Sequence, residues 1–196
     1  MNHLVIYAHP NKDSLNGELK ETVINRLKTQ GHDIIIRDLY QMNFNPVLSS
    51  NDIIGQLSGE SSEDVIREQK FISRADTLTF IHPIWWTGLP AIMKGYIDRV
   101  FTYGFAYRYD QGIQKGLLKG KQAVIINTQG KSHQEYQAIG MDQALKHTSE
   151  TGIYAYCGLD IKEHFFFDQA DKATAEDVKD WKKQVVAVYD RLYSTT

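Results

Sequence analysis

Cysteine and long apolar runs are both scarce in this chain of 196 residues. The one cysteine, Cys157, cannot close a disulfide within the chain, which favours a reducing compartment and predicts a cytoplasmic protein. No run of roughly 18 apolar residues occurs, so no membrane insertion is expected. The first residues lack the basic and apolar regions of a secretory signal, and none is predicted.

Excess charge of one sign is also missing. Lysine and arginine number 22 against 24 acidic residues, which leaves a formal net charge of −2. This balance gives no electrostatic basis for binding nucleic acid or an anionic membrane. The apolar share of 42% and the length predict a single domain, 1–196, with a full hydrophobic core.

Several familiar motifs are absent as well. The first strand-to-helix loop has neither G-x-G-x-x-G nor the G-x-x-x-x-G-K-[ST] of ATP-binding loops, and no G-x-S-x-G occurs. The seven histidines form no H-x-x-x-H pair, and there is no cysteine cluster, so no metal site is predicted. Cys157 lies in an apolar segment, which favours a buried, inert thiol.

The most informative stretch present is residues 80–101. An apolar strand at 77–81 leads into a loop with Trp85 and Trp86, and Pro90 suits the first turn of a following helix. Adjacent tryptophans in such a loop favour stacking on a flat ligand, because neighbouring loop residues do not easily face one core. The alternative is that both rings simply fill the core.

Apolar strands alternate with helices along the chain, which predicts an α/β fold. We expect a flavodoxin-like, doubly wound five-stranded parallel sheet in the order 2-1-3-4-5, with helices on both faces. Residues 38–58 show no clean period and are predicted to be irregular, residues 103–120 an excursion, and 134–147 one helix. The five strands are expected at 3–8, 34–36, 77–81, 121–127 and 159–167.

Three loops should converge at the carboxyl ends of these strands. The first lies near a helix N-terminus that favours phosphate, the second carries the tryptophans, and the third exposes backbone N–H groups. Each loop alone is more simply an ordinary turn, but the combination favours a flavin phosphate and isoalloxazine site. The loops are 9–16, 83–89 and 128–136.

At these residues the sequence resembles the NAD(P)H:quinone oxidoreductases of the DT-diaphorase type, including the bacterial modulator-of-drug-activity group. The likeness covers nearly the whole chain. The matching segments are Asp38-Leu39-Tyr40, Met42-Asn43-Phe44-Asn45-Pro46, Glu68-Gln69-Lys70, Pro90-Ala91-Ile92, Lys94-Gly95, Arg99-Val100-Phe101 and Phe105-Ala106-Tyr107.

The resemblance implies roles for particular residues. It implies that three groups of residues, one in each loop, bind the flavin and that Tyr136 is the catalytic tyrosine. It further implies a homodimer whose substrate pocket is walled by tyrosines of the partner, here Tyr107 and Tyr109, with Tyr156 joining them. The implied flavin-binding residues are His9, Ser14, Leu15 and Asn16; Pro83, Ile84, Trp85 and Trp86; and Thr128, Gln129 and Gly130.

Two departures from the family pattern affect these expectations. Longer members carry a histidine a few residues after the catalytic tyrosine, whereas residues 137–141 have none; His133 is a possible substitute. The arginine expected near Thr174 for the adenylate end of FAD is also absent. The expected cofactor is therefore FAD, with FMN as the alternative.

The implied function is a ping-pong, two-electron reduction. NAD(P)H gives hydride to the flavin N5, and a quinone or similar flat acceptor then takes it. Azo or nitro compounds are alternative acceptors, since an apolar slot discriminates flat molecules poorly. Two rival functions remain: a flavodoxin-like electron carrier, which the net charge of −2 disfavours, and an ancillary regulatory subunit of a potassium efflux system.

Overall fold

The computed structural model describes residues 1–193, and parallel strands alternate with helices along them. The strand expected at 159–167 starts at Asp160. The last helix begins where Thr174 accepts from the N–H of Asp177. The strands are β1 (Asn2–Tyr7), β2 (Asp33–Asp38), β3 (Thr77–Pro83), β4 (Tyr107–Asp110), β5 (Ile113–Gly116), β6 (Gln122–Thr128) and β7 (Asp160–Phe167), and the helices are α1 (Leu15–Thr29), α2 (Ser50–Ser58), α3 (Glu63–Arg74), α4 (Ala91–Val100), α5 (His133–Ala138), α6 (Met141–Lys146), a π-helix (His147–Ala155) and α7 (Ala175–Tyr193).

The predicted flavodoxin-like α/β class, with its five-stranded parallel sheet, is confirmed. The strands lie in the order β2-β1-β3-β6-β7. The predicted order, 2-1-3-4-5, differs from this one in the numbers of its last two strands. The excursion at 103–120 contains an antiparallel hairpin, β4–β5, which adds two strands to the count before the fourth strand of the sheet.

The hydrophobic core lies in two layers, one on each face of the sheet. Strands β1, β3 and β6 are almost wholly buried, as expected for the centre of a parallel sheet covered on both sides. One layer packs against α1 and α7, with Tyr189 at its centre. The other packs against α3, α4 and the π-helix, where the rings of Tyr154 and Phe80 are in contact at a tilt of 37°, with centroids 4.6 Å apart.

The segment at 38–58 is not irregular throughout, because its last nine residues form α2. Ser49 and Asp52 make a reciprocal capping box, which satisfies the free N–H groups at the start of the helix. The buried Arg99 of α4 then donates to Asp52 at 3.0 and 3.2 Å and to Asp64 at 2.6 Å. These ion pairs fasten α2 and α3 to α4.

The single helix predicted at 134–147 is also wrong. The chain forms α5, α6 and the π-helix in succession, and the break between the first two occurs at Gly140, whose φ is +71°. Glycine adopts this left-handed conformation without the steric cost of a side chain. The π-helix ends at Ala155, and Cys157, two residues beyond it, is buried as expected.

Candidate functional site

A cleft of about 370 Å³ opens at the carboxyl ends of β1, β3 and β6, where ligands bind in open α/β sheets. It brings together every residue predicted to bind the flavin except Trp86. A fourth loop, between β7 and α7, adds two residues to its wall. The lining consists of His9, Ser14, Leu15 and Asn16 from the first loop, Pro83, Ile84 and Trp85 from the second, Thr128, Gln129 and Gly130 from the third, and Ala170 and Asp171 from the fourth.

The N-terminus of α1 forms one end of the cleft. The Ser14 hydroxyl caps the helix by accepting from the N–H of Gly17 at 3.2 Å. No acceptor within residues 1–193 takes the N–H groups of Leu15 and Asn16. Free N–H groups and the positive end of the helix dipole attract an anion. The cleft lining has no lysine or arginine, so backbone groups must supply this attraction.

Gly17 allows the first loop to cross α1 closely. A Cβ at this position would lie 2.0 Å from the carbonyl oxygen of Lys12, and such a separation does not occur in proteins. The hydroxyl of Tyr7, on β1, lies beneath the loop, 3.3 Å from Ser14 Oγ and 3.4 Å from the carbonyl oxygen of Asn11. The shape of the anion-attracting end of the cleft therefore requires glycine at position 17.

A buried hydrogen bond joins the first loop to the third. Asn16 Nδ2 donates to Thr128 Oγ1 at 2.8 Å, and both side chains are almost inaccessible to solvent. Two buried side-chain oxygens of the cleft residues, Asn16 Oδ1 and Gln129 Oε1, have no partner among the described residues. Because buried polar atoms are nearly always hydrogen-bonded, these oxygens favour a ligand that supplies N–H or O–H groups.

The second loop turns sharply at its two tryptophans. Trp85 and Gly88 exchange both backbone hydrogen bonds at 3.1 Å, and the two residues between them, Trp86 and Thr87, have φ of +50° and +54°. The indole of Trp85 faces the cleft with its ring centroid 5.7 Å from that of His9. Trp86 is 99% exposed and contributes nothing to the cleft within this chain. The turn therefore separates the two rings that were predicted to act together.

Left-handed backbone at Trp86 and Thr87 is unusual. A tight turn of this kind normally uses Asn-Gly, because both central residues need positive φ. A β-branched threonine in this region is an outlier, and such strain concentrates at functional sites. The turn holds Trp86 out from the rim of the cleft.

Tyr136 borders the cleft rather than lining it. It lies in an adjoining cavity of about 430 Å³, which shares Gly130 and Asp171 with the cleft. The helix that carries it, α5, starts with a capping box between Ser132 and Glu135. Tyr136 therefore lies in the same cavity as Gly130 of the third loop.

The three predicted substrate tyrosines lie together, but away from the cleft. The hydroxyls of Tyr109 and Tyr156 are 3.0 Å apart, and the ring of Tyr107 lies 5.2 Å from that of Tyr156. Their hydrogen bond raises the pKa of Tyr156 to about 12, so Tyr156 stays protonated at neutral pH. Tyr107 and Tyr156 line a second cavity of about 330 Å³ beside Cys157, and it shares no residue with the cleft. We refer to Tyr107, Tyr109 and Tyr156 as the tyrosine cluster.

Asp171 and Ala170 were missed from the sequence. The N–H of Ala170 donates to the carbonyl of Gln129 at 2.9 Å, which holds the fourth loop against the third. Asp171 Oδ1 then lies 3.7 Å from the position that a Cβ on Gly130 would take. The rule that predicted the other loops could have found this one, since β7 is parallel to β6 and its carboxyl end lies at the same edge.

Two further features concern membrane insertion and metal binding. Across residues 1–193, no helix is long and apolar enough to span a membrane. The same residues contain no group of three or more His, Cys, Asp or Glu side chains placed to hold a metal ion.

Comparison with known proteins identifies relatives of the whole chain. A family described as having a flavodoxin-like fold matches residues 1–188. An uncharacterized NAD(P)H oxidoreductase of Haemophilus influenzae is 40% identical over 184 residues, which cover 90% of this chain and 91% of that protein. NAD(P)H dehydrogenase [quinone] 1 of Rattus norvegicus is 31% identical over 95% of this chain and 77% of its own length. The solved NAD(P)H:quinone oxidoreductase of Methanothermobacter marburgensis superposes with a TM-score of 0.86 at 28% identity, covering 95% of this chain and 96% of that one.

Proposed function

The chain belongs to the flavodoxin-like family that matches residues 1–188, and we propose that it is a flavin-dependent NAD(P)H:quinone oxidoreductase. The observation that carries the proposal is the composition of the cleft. One end attracts an anion, one wall is aromatic and apolar, and the third loop presents the N–H of Gly130 beside the side chain of Gln129. These are the three surfaces that a flavin phosphate, its planar ring and the polar edge of that ring require.

The residues of the cleft fit a flavin. The free N–H groups of Leu15 and Asn16, with Ser14 beside them, suit the phosphate. Trp85 and the neighbouring Pro83–Ile84 would face the ring, and the unpartnered oxygen of Gln129 can accept from one of its N–H groups. We propose FAD as the cofactor and FMN as the alternative, since the arginine expected near Thr174 for the adenylate end of FAD is absent.

When bound, the flavin supplies the two-electron chemistry, accepting hydride from NADH or NADPH and passing it to a quinone or similar flat acceptor in a ping-pong sequence. The protein's part is to bind, orient and stabilise charge. The N–H of Gly130 can stabilise negative charge at the polar edge of the ring, whereas the N–H of Gln129, which was predicted to do the same, already donates to the carbonyl of Phe167 at 2.8 Å. The hydroxyl of Tyr136, one cavity away, donates a hydrogen bond or proton toward that edge or toward the acceptor.

We further propose that two chains pair so that the tyrosine cluster of one walls the cleft of the other. Within one chain the cluster and the cleft are separate, and Tyr109 is half exposed. Three apolar side chains of α2, Ile53, Ile54 and Leu57, are also exposed, which suits burial against a second copy. Light scattering on the purified protein tests this proposal, and a monomer at working concentration would refute it. A cytoplasmic location is part of the same proposal, and the free thiol of Cys157 is consistent with it.

The flavin and the nicotinamide are tested in one experiment. The absorption spectrum of the purified protein should show flavin bands, and heat should release FAD or FMN for identification. Anaerobic mixing with NADH and with NADPH should bleach those bands, and a quinone should restore them. A protein that takes up neither flavin, or whose flavin neither nicotinamide reduces, would refute the proposal.

Two N-cap serines provide a matched pair of variants. Ser14 caps α1 at the cleft, whereas Ser49 caps α2 away from it. Replacing either serine by alanine removes a helix cap, which costs about 1 kcal/mol of stability. Only Ser14→Ala should weaken flavin binding, because only that hydroxyl lies at the proposed phosphate position. Equal flavin affinity in the two variants would refute the assigned position.

A further inference from the structure

A row of four polar side chains crosses the sheet just behind the cleft. His82 and Asn127 are the last residues but one of β3 and β6, His164 is on β7, and Glu150 is on the π-helix. His82 and Asn127 are buried, and the side chain of His164 is only 4% exposed. None of the four lines the cleft, although His82 and Asn127 directly precede the cleft residues Pro83 and Thr128. We call these four residues the polar row.

The orientation of Asn127 follows from its contact with the backbone. Its side chain lies 3.0 Å from the carbonyl oxygen of His82, and a carbonyl can only accept. Asn127 must therefore present its amide nitrogen, Nδ2, to that oxygen. Its carbonyl oxygen, Oδ1, then faces the Nε2 atom of His164 at 2.8 Å. Since Oδ1 can only accept, Nε2 of His164 must carry a hydrogen.

The other ring nitrogen of His164 meets a carboxylate. Nδ1 lies 2.8 Å from Glu150 Oε1. A neutral histidine with hydrogen on Nε2 has a lone pair on Nδ1, and an ionised carboxylate has only lone pairs. Two lone pairs at 2.8 Å repel each other, so a proton must lie between the two atoms. It resides on the ring or on the carboxyl group, and in both cases the pair has no net charge.

We propose that His164 and Glu150 share one retained proton, and that this proton fixes the Asn127 amide that ties the ends of β3 and β6 together behind the cleft. His164 is then a positioning residue. It donates to Asn127, and Asn127 donates to the carbonyl of His82. Just beyond this contact, the N–H of Ile84 donates to the carbonyl of Thr128 at 2.7 Å.

The groups around His164 and Glu150 shift the pKa values of this pair in opposite directions. Burial, the largest influence, lowers the pKa of His164, and on balance the pKa lies below its ordinary value, with Lys146 lowering it further and Glu150 and Glu163 raising it. The hydrogen bond from His164 lowers the pKa of Glu150, with His147 and Lys146 acting the same way. His82, at the far end of the row, has its pKa lowered to about 4 by burial and stays neutral. The shared proton avoids the cost of isolating either charge in the interior.

Loss of the shared proton has a structural consequence. The remaining hydrogen on His164 would move to Nδ1, where it can bind the carboxylate, and Nε2 would become an acceptor. Asn127 would have to rotate its amide to donate to Nε2, which turns Oδ1 toward the carbonyl of His82 and breaks that bond. Deprotonation would therefore loosen the ends of β3 and β6. The effect of this loosening on flavin binding rests on the proposed function, whereas the presence of the shared proton does not.

Nitrogen NMR of ¹⁵N-histidine-labelled protein tests the proton directly. We expect Nε2 of His164 to be protonated at neutral pH and to remain so at mildly alkaline pH, with His164→Gln used to assign the signal and the exposed His147 as the reference ring. A tautomer with hydrogen on Nδ1 and a bare Nε2 at neutral pH would overturn the proposal, whether or not the protein binds flavin.

The variant Glu150→Gln removes the shared proton but keeps the hydrogen bonds of the polar row. The glutamine amide can donate to Nδ1 of a neutral His164, so the row stays intact without a shared proton. Wild-type flavin affinity should fall by roughly tenfold as the pH rises through loss of the proton, in line with the cost of an unpaired buried group. The Glu150→Gln protein should match the wild type at neutral pH and lose this dependence. The same pH profile in both proteins would overturn the positioning role.

Discussion

Replacing Gly17 by alanine should weaken flavin binding far more than it weakens folding. The added Cβ would lie 2.0 Å from the carbonyl oxygen of Lys12, and ordinary contact begins at 3.4 Å. The loop must therefore move by about 1.4 Å at this point. The overlap costs about 1–3 kcal/mol of stability, and the better helix propensity of alanine returns up to about 1 kcal/mol.

The expected loss of flavin affinity is larger. The moved loop carries Ser14 and lies over the free N–H groups of Leu15 and Asn16, which are the proposed phosphate ligands. Hydrogen bonds to a charged group contribute about 1.5–3 kcal/mol each, so loss of one such bond lowers affinity roughly 10- to 100-fold. Titration of free flavin with the flavin-free protein, followed by fluorescence quenching, measures this affinity.

Gly55→Ala is the matched control. Gly55 also lies in a helix, and a Cβ there would approach the carbonyl oxygen of Glu60 at 2.1 Å, but α2 does not border the cleft. Urea denaturation should show similar stability losses for the two variants, and only Gly17→Ala should bind flavin poorly. Unchanged flavin affinity in a folded Gly17→Ala protein would refute the assignment of the phosphate to this helix end.

Three further changes test other parts of the structure. Thr128→Val leaves Asn16 Nδ2 buried without its partner and should lower the free energy of unfolding by about 1–3 kcal/mol in urea titrations; no change would refute the contribution of that bond. Thr87→Gly relieves a left-handed conformation at φ +54° and should raise the thermal midpoint by the equivalent of about 1 kcal/mol, so a lower midpoint would contradict the strain. Arg99 holds the pKa of Asp52 below its ordinary value, so the ionised carboxylate stabilises the fold. This contribution is complete above about pH 3.9, the pKa in the unfolded chain, and is lost as the pH falls further. Asp52→Asn should flatten the acid branch of a stability-versus-pH curve, and an unaltered branch would refute the linkage.

The cleft could be predicted from the sequence because it depends on topology more than on side-chain detail. Once the strands are parallel and their neighbours are known, the loops after β1, β3 and β6 must meet at one edge. The capping box of Ser49 and Asp52 was equally visible and could have revealed α2. The place of Trp86 was not visible, because Trp-Thr is not a sequence that favours a turn with two left-handed residues.

The polar row could not be predicted because it depends on an irregularity in β7. Pairing with β6 passes from Ala123–Ile161 to Val124–Glu163, so Lys162 is an extra residue in the strand. In a regular strand His164 would pair with Ile126 and face α1 and α7, because a shift of one residue turns each side chain to the other face. With the extra residue it pairs with Ile125, and its ring lies on the face of the π-helix, beside Asn127. The one extra residue in β7 therefore places His164 between Asn127 and Glu150, and a chain with a regular β7 would have no means of sharing a proton there.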